Sequence, residues 1–152
     1  MKIRLAELDD LIILVEIVHQ TIKQIFPRYY PMGAVDSFLD YHSESTILDD
    51  IKSQNIYVLD VGGAPVGTIT IKENMMNRLF VLPEYQGKGY GEALFVFSEQ
   101  LIFEKYKKIR LEASLPAKIF YLKHGYKEVE SHAMLVENGD YLFYDVMEKD
   151  YE

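Results

Sequence analysis

Apolar positions change period along this chain, and the changes mark its elements. Residues 2–6 alternate as a short strand. Leu11, Leu14, Val15, Val18, Ile22, Ile25 and Phe26 then follow helical spacing after Asp9 or Asp10, which predicts a capped amphipathic helix that Pro27 ends. Two short helical patterns follow, one carrying Val35, Phe38, Leu39 and His42, the other running from Ser45 or Thr46 to Lys52. From Asn55 the period becomes extended. Ile56–Val61 and Val66–Ile71, joined through Gly62-Gly63-Ala64-Pro65, predict a hairpin, and a third strand runs from about Met76 to Leu82. A broad apolar helix from Ala93 to Tyr106 follows, then a strand over 108–113 and a short helix from Pro116 to His124 with Gly125 just past its end. Two strands, 126–136 and 141–147, close the chain around Asn138-Gly139, a strong hairpin signal. The order β-α-α-β-β-β-α-β-α-β-β predicts an α/β layer fold with a mixed sheet and a strand-helix-strand crossover at its centre.

Composition narrows the class. A chain of 152 residues, 49% apolar and 26% charged, suits a single domain over 1–152 that needs no staple. Absence of cysteine excludes disulfides and thiolate chemistry and fits a reducing, cytoplasmic setting. No run reaches the ~18 apolar residues of a membrane span, and Lys2 and Arg4 interrupt the start where a signal peptide needs an apolar core. We therefore expect no membrane partner. A net charge of −8 argues against nucleic acid, whose binding draws on Lys and Arg, and mildly favours a cationic substrate. His19, His124 and His132 lack metal-ligand spacing, so no metal is expected.

Candidate chemistry lies at the junction Gln86-Gly87-Lys88-Gly89-Tyr90-Gly91. A strand, a glycine-rich turn and a helix in this order present unpartnered N–H groups at the positive end of a helix dipole, a site for phosphate. The P-loop spacing fails, because Lys88 precedes Gly89 rather than Ser or Thr. A dinucleotide fingerprint fails too, since its third glycine position holds Glu92.

Gln86 to Gly91, placed after Val81-Leu82-Pro83, resembles the Gln/Arg-x-x-Gly-x-Gly/Ala signature of the GCN5-related N-acetyltransferase (GNAT) family. About 30 residues on, Ala117-Lys118-Ile119-Phe120-Tyr121-Leu122-Lys123-His124-Gly125-Tyr126 resembles the family's Ala-x-x-Phe-Tyr-x-x-x-Gly-Phe/Tyr helix. The resemblance implies a GNAT-type mixed, mostly antiparallel central sheet flanked by helices. It also implies transfer of an acetyl group from acetyl-CoA directly to an amine, on a small molecule or a peptide. The loop amides of Gln86, Gly87, Lys88, Gly89, Tyr90 and Gly91 would hold the pyrophosphate, and Leu79, Phe80 and Val81 would pair with the pantetheine arm as an added strand. Tyr121 would be the general acid toward the leaving thiolate.

Ser114 stands where many relatives carry Asn, and its hydroxyl can still bond the arm. Tyr29, Tyr30 and His42 fall in the region that walls the acceptor site in this family. For the base, Glu73, Asn77 and Glu112 are candidates, and strand alternation does not choose among them. A silent acyl-CoA-binding or regulatory module is the alternative. The sheet edges leave a homodimer open.

Overall fold

The structure, a computed structural model, describes residues 1–152. Its strands are β1 (Lys2–Leu5), β2 (Ile56–Val61), β3 (Ala64–Lys72), β4 (Met75–Val81), β5 (Lys108–Ala113), β6 (Lys127–Leu135) and β7 (Tyr141–Asp150). Its helices are α1 (Leu11–Ile25), α2 (Met32–Tyr41), α3 (Glu44–Lys52), α4 (Tyr90–Phe103) and α5 (Leu115–Lys123). The seven strands form one sheet in the order β1-β2-β3-β4-β5-β7-β6, antiparallel throughout except between β4 and β5. The mixed, mostly antiparallel sheet is as expected. The helix count is not: the two short patterns fold as separate helices, so three helices rather than two lie between β1 and β2.

Strand alternation distributes the core. Ile56 and Val58 of β2 join α1, α2 and α3 on one face of the sheet, in a cluster centred on Leu14, Ile17, Ile22 and Ile47. Leu59, facing the other way, joins α4 and α5 with Leu94, Phe95, Ile102 and Leu111. Burying each large side chain on this scale is worth about 1.5–3 kcal/mol.

Local signals set the ends. Ser43 caps α3, its Oγ accepting the Thr46 N–H at 3.3 Å, so this helix starts ahead of the Ser45 or Thr46 expected. Asp10 sits at the start of α1 but does not cap it. Its carboxylate instead accepts two bonds from Arg4, at 2.8 and 3.0 Å, and the Glu7 N–H at 2.7 Å. Asn138 and Gly139 both hold positive φ in the turn between β6 and β7, as a type I′ turn requires, with the Asp140 N–H donating to Glu137 O at 3.1 Å. That turn docks on α2. Gly33 N–H donates to Asp140 Oδ2 at 2.8 Å, and a Cβ at Gly33 would overlap the Glu137 carbonyl.

Candidate active site

Two irregularities in β4 open the sheet. Its parallel pairing with β5 covers only Met75 with Arg110 and Met76 with Leu111. Against β3, Asn77 pairs with Thr70 and Phe80 with Thr68, so Arg78 and Leu79 stand opposite Ile69 alone. This is a β-bulge, with Arg78 at φ +54°. Beyond the bulge β4 and β5 part, and a cavity of about 580 Å³ lies between them. Asn77 to Val81 line one wall, and Glu112, Ser114, Ala117 and Tyr121 another. Since β5 does not pair with residues 77–81, this edge of β4 is free to take an extended ligand.

The glycine-rich loop stands past the end of β4. Gly87 and Gly89 have φ of +77° and +86°, a conformation costly for other residues. N–H groups of Gly87, Lys88 and Gly89 have no backbone acceptor, and those of Tyr90, Gly91 and Glu92 fall in the first turn of α4, where none exists. Gln86 differs from expectation. Its N–H donates to Pro83 O at 3.2 Å and its side-chain amide to Val81 O at 2.9 Å, so it braces the loop and the open amides begin at Gly87. Lys88 Nζ lies 5.4 Å from the Tyr85 ring centroid.

Tyr121 reaches the cavity from α5, its ring packed among Phe95, Phe120 and Tyr126. Burial pushes its phenol well above the usual tyrosine range, so it stays protonated. Ser114 occupies the N-cap of α5 without a capping bond from its side chain, and it lines the same cavity.

The three candidate acceptor contacts separate. Exposed Tyr29 lines the cavity mouth. Tyr30 is buried outside the cavity lining; its hydroxyl accepts the Leu115 N–H at 2.7 Å and donates to Phe143 O at 3.3 Å. His42 lines the cavity, and its Nδ1 accepts from Arg78 Nε at 3.0 Å. Burial, then the charges of Arg78 and His19, lower its pKa to about 3, so its ring is neutral. Behind it Arg78 Nη1 bonds Asp50 Oδ2 at 2.8 Å and Thr70 Oγ1 at 3.0 Å, a buried network centred on the bulge. Of the candidate bases, Asn77 and Glu112 line the cavity, whereas Glu73 sits in the β3–β4 turn, outside the lining.

Sequence reasoning missed Arg78, Asp50 and Thr21, whose hydroxyl donates to Ile17 O at 2.7 Å and also lies 3.5 Å from Val81 O. A lone arginine inside an apolar strand was the available signal for the first. No group of three or more His, Cys, Asp and Glu residues is placed to hold a metal, and no helix is long and apolar enough to cross a membrane.

Known proteins resemble this chain in sequence and in fold. The chain is 25% identical to the spermidine N(1)-acetyltransferase of Thermoplasma acidophilum, over 99% of this chain and 98% of that one. It is 28% identical to the uncharacterized N-acetyltransferase YafP of Escherichia coli, over 57% of this chain and 55% of that one. Among solved structures, a GCN5-related N-acetyltransferase from Rhodopseudomonas palustris superposes with a TM-score of 0.89 at 22% identity, covering 98% of this chain and 94% of the other. The PaiA N-acetyltransferase of T. acidophilum, solved with coenzyme A, gives 0.74 at 23%, covering 99% and 98%. The model of the acetyltransferase (GNAT) domain matches residues 25–140, which hold the bulged strand, the glycine loop and Tyr121 together, and the chain therefore belongs to the GNAT family of acetyltransferases.

Proposed function

We propose that residues 1–152 act as one N-acetyltransferase domain that moves an acetyl group from acetyl-CoA directly to an amine. The carrying observation is the cavity between β4 and β5, with open loop amides beyond the end of β4 and a protonated Tyr121 in its wall. In this reading Gly87 to Gly91 hold the pyrophosphate and the free edge at Leu79 and Val81 pairs with the pantetheine amides, Phe80 turning its own backbone groups to Thr68 of β3. Val81 contributes its side chain and N–H, because its carbonyl already accepts from Gln86. Ser114 Oγ faces the arm.

An amine nitrogen forms its bond to the acetyl carbon as the carbon–sulfur bond breaks, and a β4 N–H takes the charge growing on the carbonyl oxygen. Tyr121 donates to the departing sulfur. Because burial holds its pKa above that of a thiol, of reference pKa about 8.5, it gives a hydrogen bond rather than the whole proton. The proton released by the amine leaves through a carboxylate or water. Cysteine is absent, which supports one-step transfer without an acetyl-enzyme on sulfur, and it suits a cytoplasmic setting.

Thermal unfolding with and without ligand tests this. Acetyl-CoA at 100 times its Kd should stabilise by about 2.7 kcal/mol, and NAD and ATP should not. No shift with acetyl-CoA would refute the reading. Tyr121→Phe should keep that shift while kcat falls by about 10–100-fold, in line with loss of one hydrogen bond to the departing sulfur; unchanged turnover would remove its role.

A further inference from the structure

The charge of the cavity bears on which amine enters it. Three ionised side chains line it: Glu112, Arg28 and Arg78. Arg78 is neutralised by Asp50, and neutral His42 stands beside it. Nearby carboxylates on the sheet are all occupied, Glu130 and Glu148 by Arg110 and Asp145 by Lys118. Glu112 is the exception, exposed to the cavity and joined to no cation. Among the four arginines, Arg4, Arg78 and Arg110 are bound to carboxylates, and Arg28 at the mouth is not.

The remaining wall on the α1–α2 side is aromatic. Phe38 meets Phe26 edge-on at 4.9 Å, and Phe80 stands between Phe26 at 6.1 Å and His42 at 5.8 Å. Tyr29, Tyr41 and Tyr144 complete it. A smaller hollow of about 280 Å³ adjoins through His42 and Arg78; there Lys72 and Arg78 both bind Asp50, while Asp40 at its wall pairs with neither.

Resting on the acetyl transfer proposed above, we infer that the acceptor is a monoamine on a flat apolar body, its nitrogen received by Glu112 and its body by the aromatic wall. Glu112 is then the group that takes the ammonium proton, directly or through one water. A polyamine does not fit. Glu112 is the one carboxylate lining the cavity; a second ammonium would meet Arg28 at the mouth, or Arg78 and Lys72 on the way to Asp40 in the adjoining hollow.

Thiol release from saturating acetyl-CoA, measured with 2-phenylethylamine, tyramine, putrescine and spermidine, tests the inference. The aromatic amines should exceed the polyamines at least about tenfold in kcat/KM, the scale on which unpaired polar groups discriminate. Equal or better use of spermidine would overturn it, as would four inert amines in a protein that acetyl-CoA still stabilises. Loss of that stabilisation would instead strike the acetyl transfer itself. Glu112→Gln should keep the acetyl-CoA shift, lower kcat/KM for 2-phenylethylamine about 10–100-fold and remove the acid limb of its pH profile. An unchanged profile would take the proton role from Glu112. Arg28→Glu should raise kcat/KM for spermidine and leave acetyl-CoA stabilisation in place; no gain would remove Arg28 from the selection.

Discussion

The Tyr30 hydroxyl accepts the Leu115 N–H at 2.7 Å and donates to Phe143 O at 3.3 Å, joining the segment after α1 to the first residue of α5 and to β7. Leu115 N–H is one of the orphan donors of a helix start, and Ser114 supplies no side-chain cap. The phenol is held up to about 12 by burial, so it remains a donor across the working pH range. Tyr30→Phe should cost about 1–2 kcal/mol, since a buried phenol is lost and the Leu115 N–H and Phe143 carbonyl lose a part-buried partner. Urea unfolding measures this. If α5 also carries Tyr121 into place, kcat should drop while the acetyl-CoA affinity holds.

Asp50 and Arg78 form a buried pair at 2.8 Å, each under a tenth exposed. Asp50→Asn leaves a guanidinium without its counter-charge beneath the bulge, and a loss of about 3–5 kcal/mol is expected. Guanidinium unfolding of the variant against the parent decides it; a loss below about 1 kcal/mol would mean that Thr70 and water satisfy Arg78 without the Asp50 charge.

Acid should weaken the fold through the same network. His42 titrates at about 3 when folded and near ~6.5 when unfolded, so the unfolded chain binds the extra proton between those values. Its contribution is complete above ~6.5 and is lost as the pH falls toward 3, at up to about 1.4 kcal/mol per pH unit. Burial raises the Asp50 carboxyl, but Lys72 and Arg78 outweigh it and hold the group below the usual range, so its share is lost at lower pH still. Unfolding midpoints from pH 7 to pH 4 should fall, and His42→Asn should flatten that slope; a pH-independent midpoint in the parent would contradict it.

Gly89 offers a test of the loop apart from packing. A Cβ there meets nothing within 4 Å, so Gly89→Ala carries only the cost of φ +86°, roughly 1–2 kcal/mol. Calorimetry should show weaker acetyl-CoA binding as the loop relaxes to a different path. Unchanged affinity would mean that the amide geometry there is not needed.

What could be read from the chain divides by distance along it. β5 over 108–113, the Asn138-Gly139 turn, and the two motifs at 86–91 and 117–126 are each encoded within a dozen residues, and local pattern places them. Tyr29 and Tyr30 are indistinguishable by type. Only the tight turn over Phe26–Arg28 decides that one lies at the cavity mouth and the other goes under α5. Arg78 depends on a bulge, which strict alternation hides, and on Asp50, which is 28 residues earlier. The cap at Ser43 was obscured by three capping-competent residues within four positions, Ser43, Ser45 and Thr46, with Glu44 between the first two.

The seven strands are, in mechanical terms, two panels. β1 to β4 form one and β5 to β7 the other, hinged at Met75–Arg110 and Met76–Leu111 and fastened there by Asn74, whose carbonyl and amide bond Arg110 and Lys108. At the other end the fastening is by side chain, through Tyr30. A ligand arm laid between the panels bonds across their gap and so acts as a removable eighth strand. Amide exchange at residues 77–81 should then slow on adding acetyl-CoA while β2 and β3 keep their rates, making the stiffness of the sheet itself a readout of whether the donor is aboard.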